Sequence, residues 1–328
     1  MKSKTILITG VAGFIGFHTA KKLLNENYKV VGIDNLNDYY DPLIKKKRLA
    51  LLKHKNFIFH KLDFTNFKKI NTVLTGYSFS KIIHLGAQAG VRYSIENPFA
   101  YEQTNFLGTL NLLEFAKSKK IDQFILASTS SVYGKNEKQP FEESDVTDSA
   151  ISTYAATKKA CEVLAHTYSH LFGINVTVLR FFTVYGSWGR PDMALFKFTK
   201  NILLGKQIDV YNNGDMQRSF TYVDDVVSGI FGAVKNVERY QVYNLGGSET
   251  IKLMNFIGLI EKHLNKKAKI KFLKMQAGDV KETVASTKKA ASYLHYKANT
   301  NIETGVQNFV EWFLENRNWL IKLKDGKQ

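Results

Sequence analysis

One segment near the start of the 328-residue chain limits the folds open to it. Residues 4–9, Lys-Thr-Ile-Leu-Ile-Thr, form an apolar run of the kind that a parallel sheet buries on both faces. They run directly into Gly10-Val11-Ala12-Gly13-Phe14-Ile15-Gly16, and a helical pattern follows from Phe17 to Asn25. Strand, glycine turn and helix open a dinucleotide-binding βαβ unit: Gly10 permits the tight turn, Gly13 lets backbone approach a pyrophosphate, and Gly16 lets helix and strand pack closely. The spacing is GxxGxxG rather than GxGxxG, and a glycine trio alone also occurs in ordinary turns. The next strand, Lys29-Val30-Val31-Gly32-Ile33, resolves the choice because it ends in Asp34. An acid there binds both ribose hydroxyls and repels a 2′-phosphate, so NAD is expected over NADP. Phe14, Ile15 and Asn35 flank these groups and join the expected cofactor contacts.

Three further apolar runs continue the sheet. Phe57-Ile58-Phe59-His60-Lys61-Leu62 leads to Asp63 and Phe64, where an adenine is expected. Lys81-Ile82-Ile83-His84-Leu85-Gly86-Ala87 and Gln123-Phe124-Ile125-Leu126-Ala127-Ser128 both end in small or polar residues. Strands alternating with helical segments to about Leu179 predict an α/β fold, a Rossmann-type doubly wound parallel sheet with a smaller C-terminal substrate-binding domain. The expected division gives residues 1–180 to the NAD-binding domain, with 219–248 returning to it, and 181–218 with 249–328 to the second. The latter part of the chain reads as mainly helical, with one short basic strand, Lys269-Ile270-Lys271-Phe272.

Ligands bind beyond the carboxyl ends of strands in such sheets, which puts Ser128-Thr129-Ser130-Ser131 on the functional edge. About twenty residues on, Tyr154-Ala155-Ala156-Thr157-Lys158 sets a phenol and an ammonium on one helical face. The ammonium favours the phenolate, turning an acid of pKa about 10 into a base. A shift of roughly 3 units needs about 4 kcal/mol, more than one exposed charge supplies. An oxidised nicotinamide ring beside it is a second cation.

The formal charge of +17 raises the question of nucleic acid. Its excess lies in scattered short runs such as Lys45-Lys46-Lys47-Arg48, which read as solvated faces, and no nucleic-acid-binding motif accompanies them. An anionic small substrate fits the charge. No apolar run is long enough for a bilayer and the first strand starts at once, so no membrane partner and a cytoplasmic enzyme are expected. Cys161, the single cysteine, reads as a packing residue. No metal site is expected.

Four linked segments add to this reading: Gln88-Ala89-Gly90-Val91-Arg92-Tyr93-Ser94, Tyr154 to Ala160, Arg180-Phe181-Phe182-Thr183-Val184-Tyr185-Gly186, and Trp188-Gly189-Arg190-Pro191-Asp192-Met193-Ala194. With the glycine turn they resemble extended short-chain dehydrogenases/reductases acting on nucleotide sugars, and most of all the bacterial UDP-glucuronate 4-epimerases. The resemblance implies Tyr154 as the base at the sugar 4-hydroxyl, Lys158 on the nicotinamide ribose, and Thr129 as hydroxyl partner of the reacting oxygen. It implies Leu85, Ala87, Asn105 and Phe181 around the cofactor, with Asn105 holding nearby backbone. Gln88, Val91, Arg92, Ser130, Ser131, Thr183 and Arg190 fall on the UDP-sugar side. Tyr211 is then a uracil neighbour or simply a core aromatic, Arg218 a pyrophosphate ligand and Asp279 a contact to the nucleotide ribose. A homodimer joined by a four-helix bundle of residues 105–117 and 154–171 is also implied.

The residues after Thr129 bear on the reaction. Related dehydratases resemble Thr-Asp-Glu there and UDP-glucuronate decarboxylases Thr-Ser-Glu, whereas this chain has Thr129-Ser130-Ser131. Without a carboxyl no acid/base stands ready for elimination, and a substrate carboxylate meets hydroxyl donors. Epimerisation of UDP-glucuronate through a 4-keto sugar is expected. Other readings are a 4-epimerase of neutral UDP-hexoses or UDP-N-acetylhexosamines, a decarboxylase whose acid lies elsewhere, and a non-catalytic NAD-binding scaffold. Gly86, Ser187 and Ser219 depart from the common pattern without removing a group the mechanism needs.

Overall fold

A computed structural model describes residues 5–247, 249–276, 278 and 280–327. Seven parallel strands make the main sheet: β1 (Thr5–Thr9), β2 (Lys29–Asp34), β3 (Phe57–Lys61), β4 (Lys81–His84), β5 (Gln123–Thr129), β6 (Asn175–Phe181) and β7 (Tyr240–Leu245). Their order is β3-β2-β1-β4-β5-β6-β7. The chain works outward from β1 to one edge, then returns and works outward from β4. The crevice between β1 and β4 is therefore the switch point at which such sheets bind ligands.

The pleat divides β1 between two cores. Ile6 and Ile8 pack with Phe17, Ala20 and Leu24 of helix Phe14–Asn25 and with Val227 and Ile230 of helix Val223–Lys235. Leu7, on the other face, joins Leu112 and Phe115 of helix Gly108–Ser118 and Cys161, Ala165 and Tyr168 of helix Thr153–Phe172. Burying both faces is what makes these strands read as unbroken apolar runs.

The second part of the chain is more sheet-rich than its sequence suggests. Strands Thr183–Tyr185, Gln217–Tyr222, Thr250–Lys252 and Glu282–Thr283 form one small sheet. The expected basic strand, Lys269–Leu273, pairs in parallel with Gln207–Tyr211. The return to the main sheet, expected from residue 219, starts at Val223, because 217–222 belongs to the small sheet. Helix Pro42–Leu51 overturns the reading of its lysine run as a solvated face. Ile44, Lys45 and Arg48 all point inward, as the helical period dictates. Among the described residues no helix is long and apolar enough to cross a membrane.

Candidate active site

Beyond β1 the backbone forms a cradle. Gly10 has φ +68°, and a Cβ there would lie 2.7 Å from Gly86 backbone. A Cβ on Gly16 would strike the Gly10 carbonyl oxygen. Helix Phe14–Asn25 starts without a side-chain cap, so its first N–H groups face the turn unsatisfied and suit a phosphate. Buried Asp34 accepts hydrogen bonds from the Ala12 N–H at 3.2 Å and the Leu36 N–H at 2.8 Å. These hold its carboxylate in the wall with lone pairs left for a ribose diol.

From the cradle a cleft of about 460 Å³ crosses the strand ends. Gly10, Gly13, Phe14, Ile15, Gly16, Asp34, Asn35, Phe64, Leu85, Ala87 and Phe181 line it, as do Thr129, Tyr154 and Lys158. Two more of the expected cofactor residues act on neighbours that line the cleft. Asp63 accepts from Asn35 Nδ2 and the Thr65 N–H, both at 2.9 Å, and so orients Asn35, which lines the cleft. Asn105 is buried, accepting from the Gln88 N–H at 2.8 Å and donating to the Gln88 carbonyl at 3.1 Å. A π-helical turn, Glu102–Leu107, interrupts the helix here and carries Asn105. Such turns recur at functional sites because one extra residue turns side chains off the regular helical face.

Behind Asn105 a buried hydrogen-bond chain runs from the Gly86 N–H to the Asn105 carbonyl. The Gly86 N–H donates to Thr9 Oγ1 (3.1 Å), Thr9 to His84 Nδ1 (2.6 Å), His84 Nε2 to Thr109 Oγ1 (3.1 Å), and Thr109 to the Asn105 carbonyl (2.6 Å). This direction requires neutral His84 carrying its proton on Nε2. Burial, and then the nearby Lys158 charge, push the His84 pKa well down, consistent with that form. Cys161 Sγ donates to the same Asn105 carbonyl at 3.2 Å and lies 3.3 Å from the Thr109 hydroxyl, a packing role with weak polar contacts.

Thr129 ends β5 and caps the 3₁₀ turn Ser130–Tyr133, its hydroxyl accepting from the Ser131 N–H at 3.2 Å. Ser130 and Ser131 thereby face the cleft next to Tyr154. Burial pushes the Tyr154 phenol above its ordinary pKa; a hydrogen bond from Thr129 and the Arg190 charge oppose the rise. Lys158 is 2% exposed, and its ammonium makes no hydrogen bond among the described residues. Burial pushes its pKa down, against the pull of the Cys161 and Glu162 acids. An ammonium so placed suits ribose hydroxyls, and with the cradle and Asp34 it makes the cleft fit a dinucleotide.

A second cavity of about 460 Å³ adjoins the cleft, lined by Arg92, Tyr211, Arg218 and Lys197 among others. Tyr39, Gly90, Val91, Thr183 and Asp192 line both, so the two meet beside Tyr154. Gln88 and Arg190 line the first cleft, and Arg190 clasps Asp192 through two hydrogen bonds. The Arg92 guanidinium lies 4.6 Å from the Tyr211 ring centroid, which makes Tyr211 a cavity wall rather than a core aromatic. Arg218 donates to the carbonyls of Val280 (2.5 Å) and Lys281 (2.9 Å). Asp279 lies outside the described residues.

Tyr39, Lys45 and Lys197 line these cavities although no motif flagged them, and Asp192 does so from within the Trp188–Ala194 segment. Arg48 supports them from below. Wholly buried, it donates to the Ala12 carbonyl at 2.9 Å and the Trp188 carbonyl at 2.6 Å, tying the glycine turn to the Trp188–Asp192 loop.

A family model described as GDP-mannose 4,6 dehydratase matches residues 7–309. An uncharacterised protein of Methanocaldococcus jannaschii is 55% identical over 326 residues, 98% of this chain and 100% of its own length. A UDP-glucuronate 4-epimerase of Thermodesulfobacterium geofontis is 44% identical over 320 residues, 97% of this chain and 98% of its own. Among solved structures, the UDP-glucuronic acid 4-epimerase from Bacillus cereus in complex with UDP-glucuronic acid and NAD superposes with a TM-score of 0.90 at 34% identity, covering 95% of this chain and 99% of that one. Cradle, Tyr154–Lys158 helix and whole-length similarity lead to one assignment: the chain belongs to the GDP-mannose 4,6 dehydratase family of extended short-chain dehydrogenases/reductases, among relatives that include UDP-glucuronate 4-epimerases.

Proposed function

We propose that this protein is an NAD-dependent 4-epimerase converting UDP-glucuronate to UDP-galacturonate. The observation that carries the substrate is the group of hydroxyls, Ser130, Ser131 and Thr183, lining the cleft beside Tyr154. Asp192, the acid that lines both cavities, is already clasped by Arg190. A sugar carboxylate there meets donors and no unpaired like charge. The sequence Thr129-Ser130-Ser131 lacks the carboxyl of dehydration, although the family takes its name from that reaction.

NAD, held by Gly10, Gly13, Gly16, Asp34 and Lys158, supplies the hydride acceptor and donor for C4. Tyr154 takes the proton of the 4-hydroxyl and returns it on the opposite face, with Thr129 steadying the oxygen. Lys158 favours the phenolate that burial disfavours. Hydroxyls can satisfy a carboxylate in both sugar orientations, whereas a forked guanidinium would hold one tightly. They must also keep the carboxylate out of line with the 4-keto group, since a β-keto acid so aligned loses carbon dioxide.

The enzyme is read as a cytoplasmic homodimer pairing through residues 105–117 and 154–171, where Leu107, Val163 and Leu171 stand exposed. The test is incubation of purified protein with UDP-glucuronate, UDP-glucose and UDP-N-acetylglucosamine, followed by chromatographic separation. UDP-galacturonate is the expected product. Turnover of the neutral sugars alone, or release of UDP-pentose, overturns the reading.

A further inference from the structure

The cations of the second cavity differ in what they already hold. Arg92 stacks on Tyr211, Arg218 donates to backbone carbonyls, and Lys327 pairs with Asp38 at 3.2 Å. Asp325, an acid of the same wall, pairs with Lys200 at 2.9 Å. Lys197 has no such partner among the described residues, no carboxylate or carbonyl standing within reach of its ammonium. It is nevertheless half-buried and lines the cavity. Taking an unpaired ammonium out of water is costly unless something answers it.

Its position says what answers it. Lys197 sits in the first turn of helix Ala194–Leu203, whose Leu195, Phe196, Phe198, Thr199 and Ile202 pack inward. That helix starts with no side-chain cap, and its first residue, Ala194, lines the same cavity. Asp192, at the junction with the cofactor cleft, Asp325 and Asp209 of the cavity wall, and Arg92, beside Tyr211, are all near enough to perturb Lys197, though none of the carboxylates pairs with it. The ammonium therefore stands between the sugar end and the base end.

We propose that Lys197 binds the diphosphate linking the two ends of the substrate, an inference that rests on the nucleotide-sugar reading above. The diphosphate is the dianion that must cross this wall, and the open N–H groups of the helix favour the same charge. Burial lowers the pKa of Lys197, and an anion alongside reverses that shift. A compact ammonium with three rotatable donors can follow the phosphates while the sugar turns.

The test is calorimetric titration of the purified protein and its K197M, K197Q and K197R variants with UDP, uridine, UDP-glucose and UDP-glucuronate. A charge-assisted hydrogen bond predicts that K197M and K197Q weaken UDP about 10- to 100-fold, leave uridine unchanged, and that K197R recovers most of the loss. NAD content and melting temperature equal to the parent's confirm that the neutral variants are folded. Unchanged UDP affinity in both neutral variants overturns the assignment. So does weakening confined to UDP-glucuronate, which would place the ammonium on the sugar carboxylate. The two readings fail separately: a parent that binds UDP but does not turn over UDP-glucuronate sinks the substrate reading and leaves Lys197 on the diphosphate.

Discussion

Replacing Glu162 by leucine should lower the melting temperature by several degrees, and the second half of a double variant should restore much of it. Glu162 and Arg180, 2% and 3% exposed, pair through Nε to Oε1 at 3.0 Å and NH2 to Oε2 at 2.9 Å. Ser128 donates to the same carboxylate at 2.5 Å, one residue before Thr129. Burial opposes the Arg180 charge, but the Glu162 carboxylate outweighs it and pushes the guanidinium pKa up. Glu162→Leu leaves that charge buried and uncompensated, at a cost of about 3–5 kcal/mol. An unfolding entropy of about 2.1 cal/mol/K per residue over 328 residues is about 0.7 kcal/mol/K, which converts the cost into a fall of about 4–7 °C. Adding Arg180→Met removes the orphaned charge, and replacing a whole buried pair by apolar side chains is often neutral or stabilising. Scanning calorimetry of parent, single and double variants checks both steps. A single variant melting within 1 °C of the parent, or a double variant melting below the single, would refute the argument.

Three further outcomes are expected. Gly86→Ala puts a Cβ 2.6 Å from Phe64 Cε1, so the ring must leave its place on the cleft wall, and the variant should be purified with less bound NAD than the parent; equal occupancy refutes this. Because burial raises the Tyr154 pKa and the phenolate is the active form, turnover should rise with pH below that pKa, and Lys158→Met should move the rising limb to higher pH; coincident pH–rate profiles would show that Lys158 does not tune the phenol. Replacing Ser131 and Thr183 together by alanine should slow epimerisation and raise the share of decarboxylated product seen by mass spectrometry, whereas parent-like products would place the carboxylate elsewhere.

What could be read beforehand was local, and what could not was set by distant chain. Gly10, Gly16 and Asp34 belong to one βαβ unit, and Tyr154 and Lys158 to one helix turn, so spacing alone brought each group together. The Lys45-Lys46-Lys47-Arg48 run shows the opposite case. Charge made it look solvated, yet Tyr40, Ile44 and Arg48 fall at successive fours, a helical face that a count by period rather than by polarity would have flagged. Even so, Arg48 is buried because carbonyls of Ala12 and Trp188 await it, and Trp188 lies 140 positions away. Asp63 illustrates the same limit within a correct strand: its place at the end of β3 was legible, but its hydrogen bond to Asn35 on the neighbouring strand's end was not. Lys197 was hidden for a related reason. A lysine among apolar residues on a helix reads as the exposed edge of an amphipathic segment, and only the folding of strand Gln207–Tyr211 and the Tyr39 loop around it turns that edge into a cavity wall. The buried cations share one consequence: Arg48, Lys158 and Arg180 are withdrawn from the surface by structural or site tasks, so the net charge overstates the field that an approaching substrate meets outside the cleft.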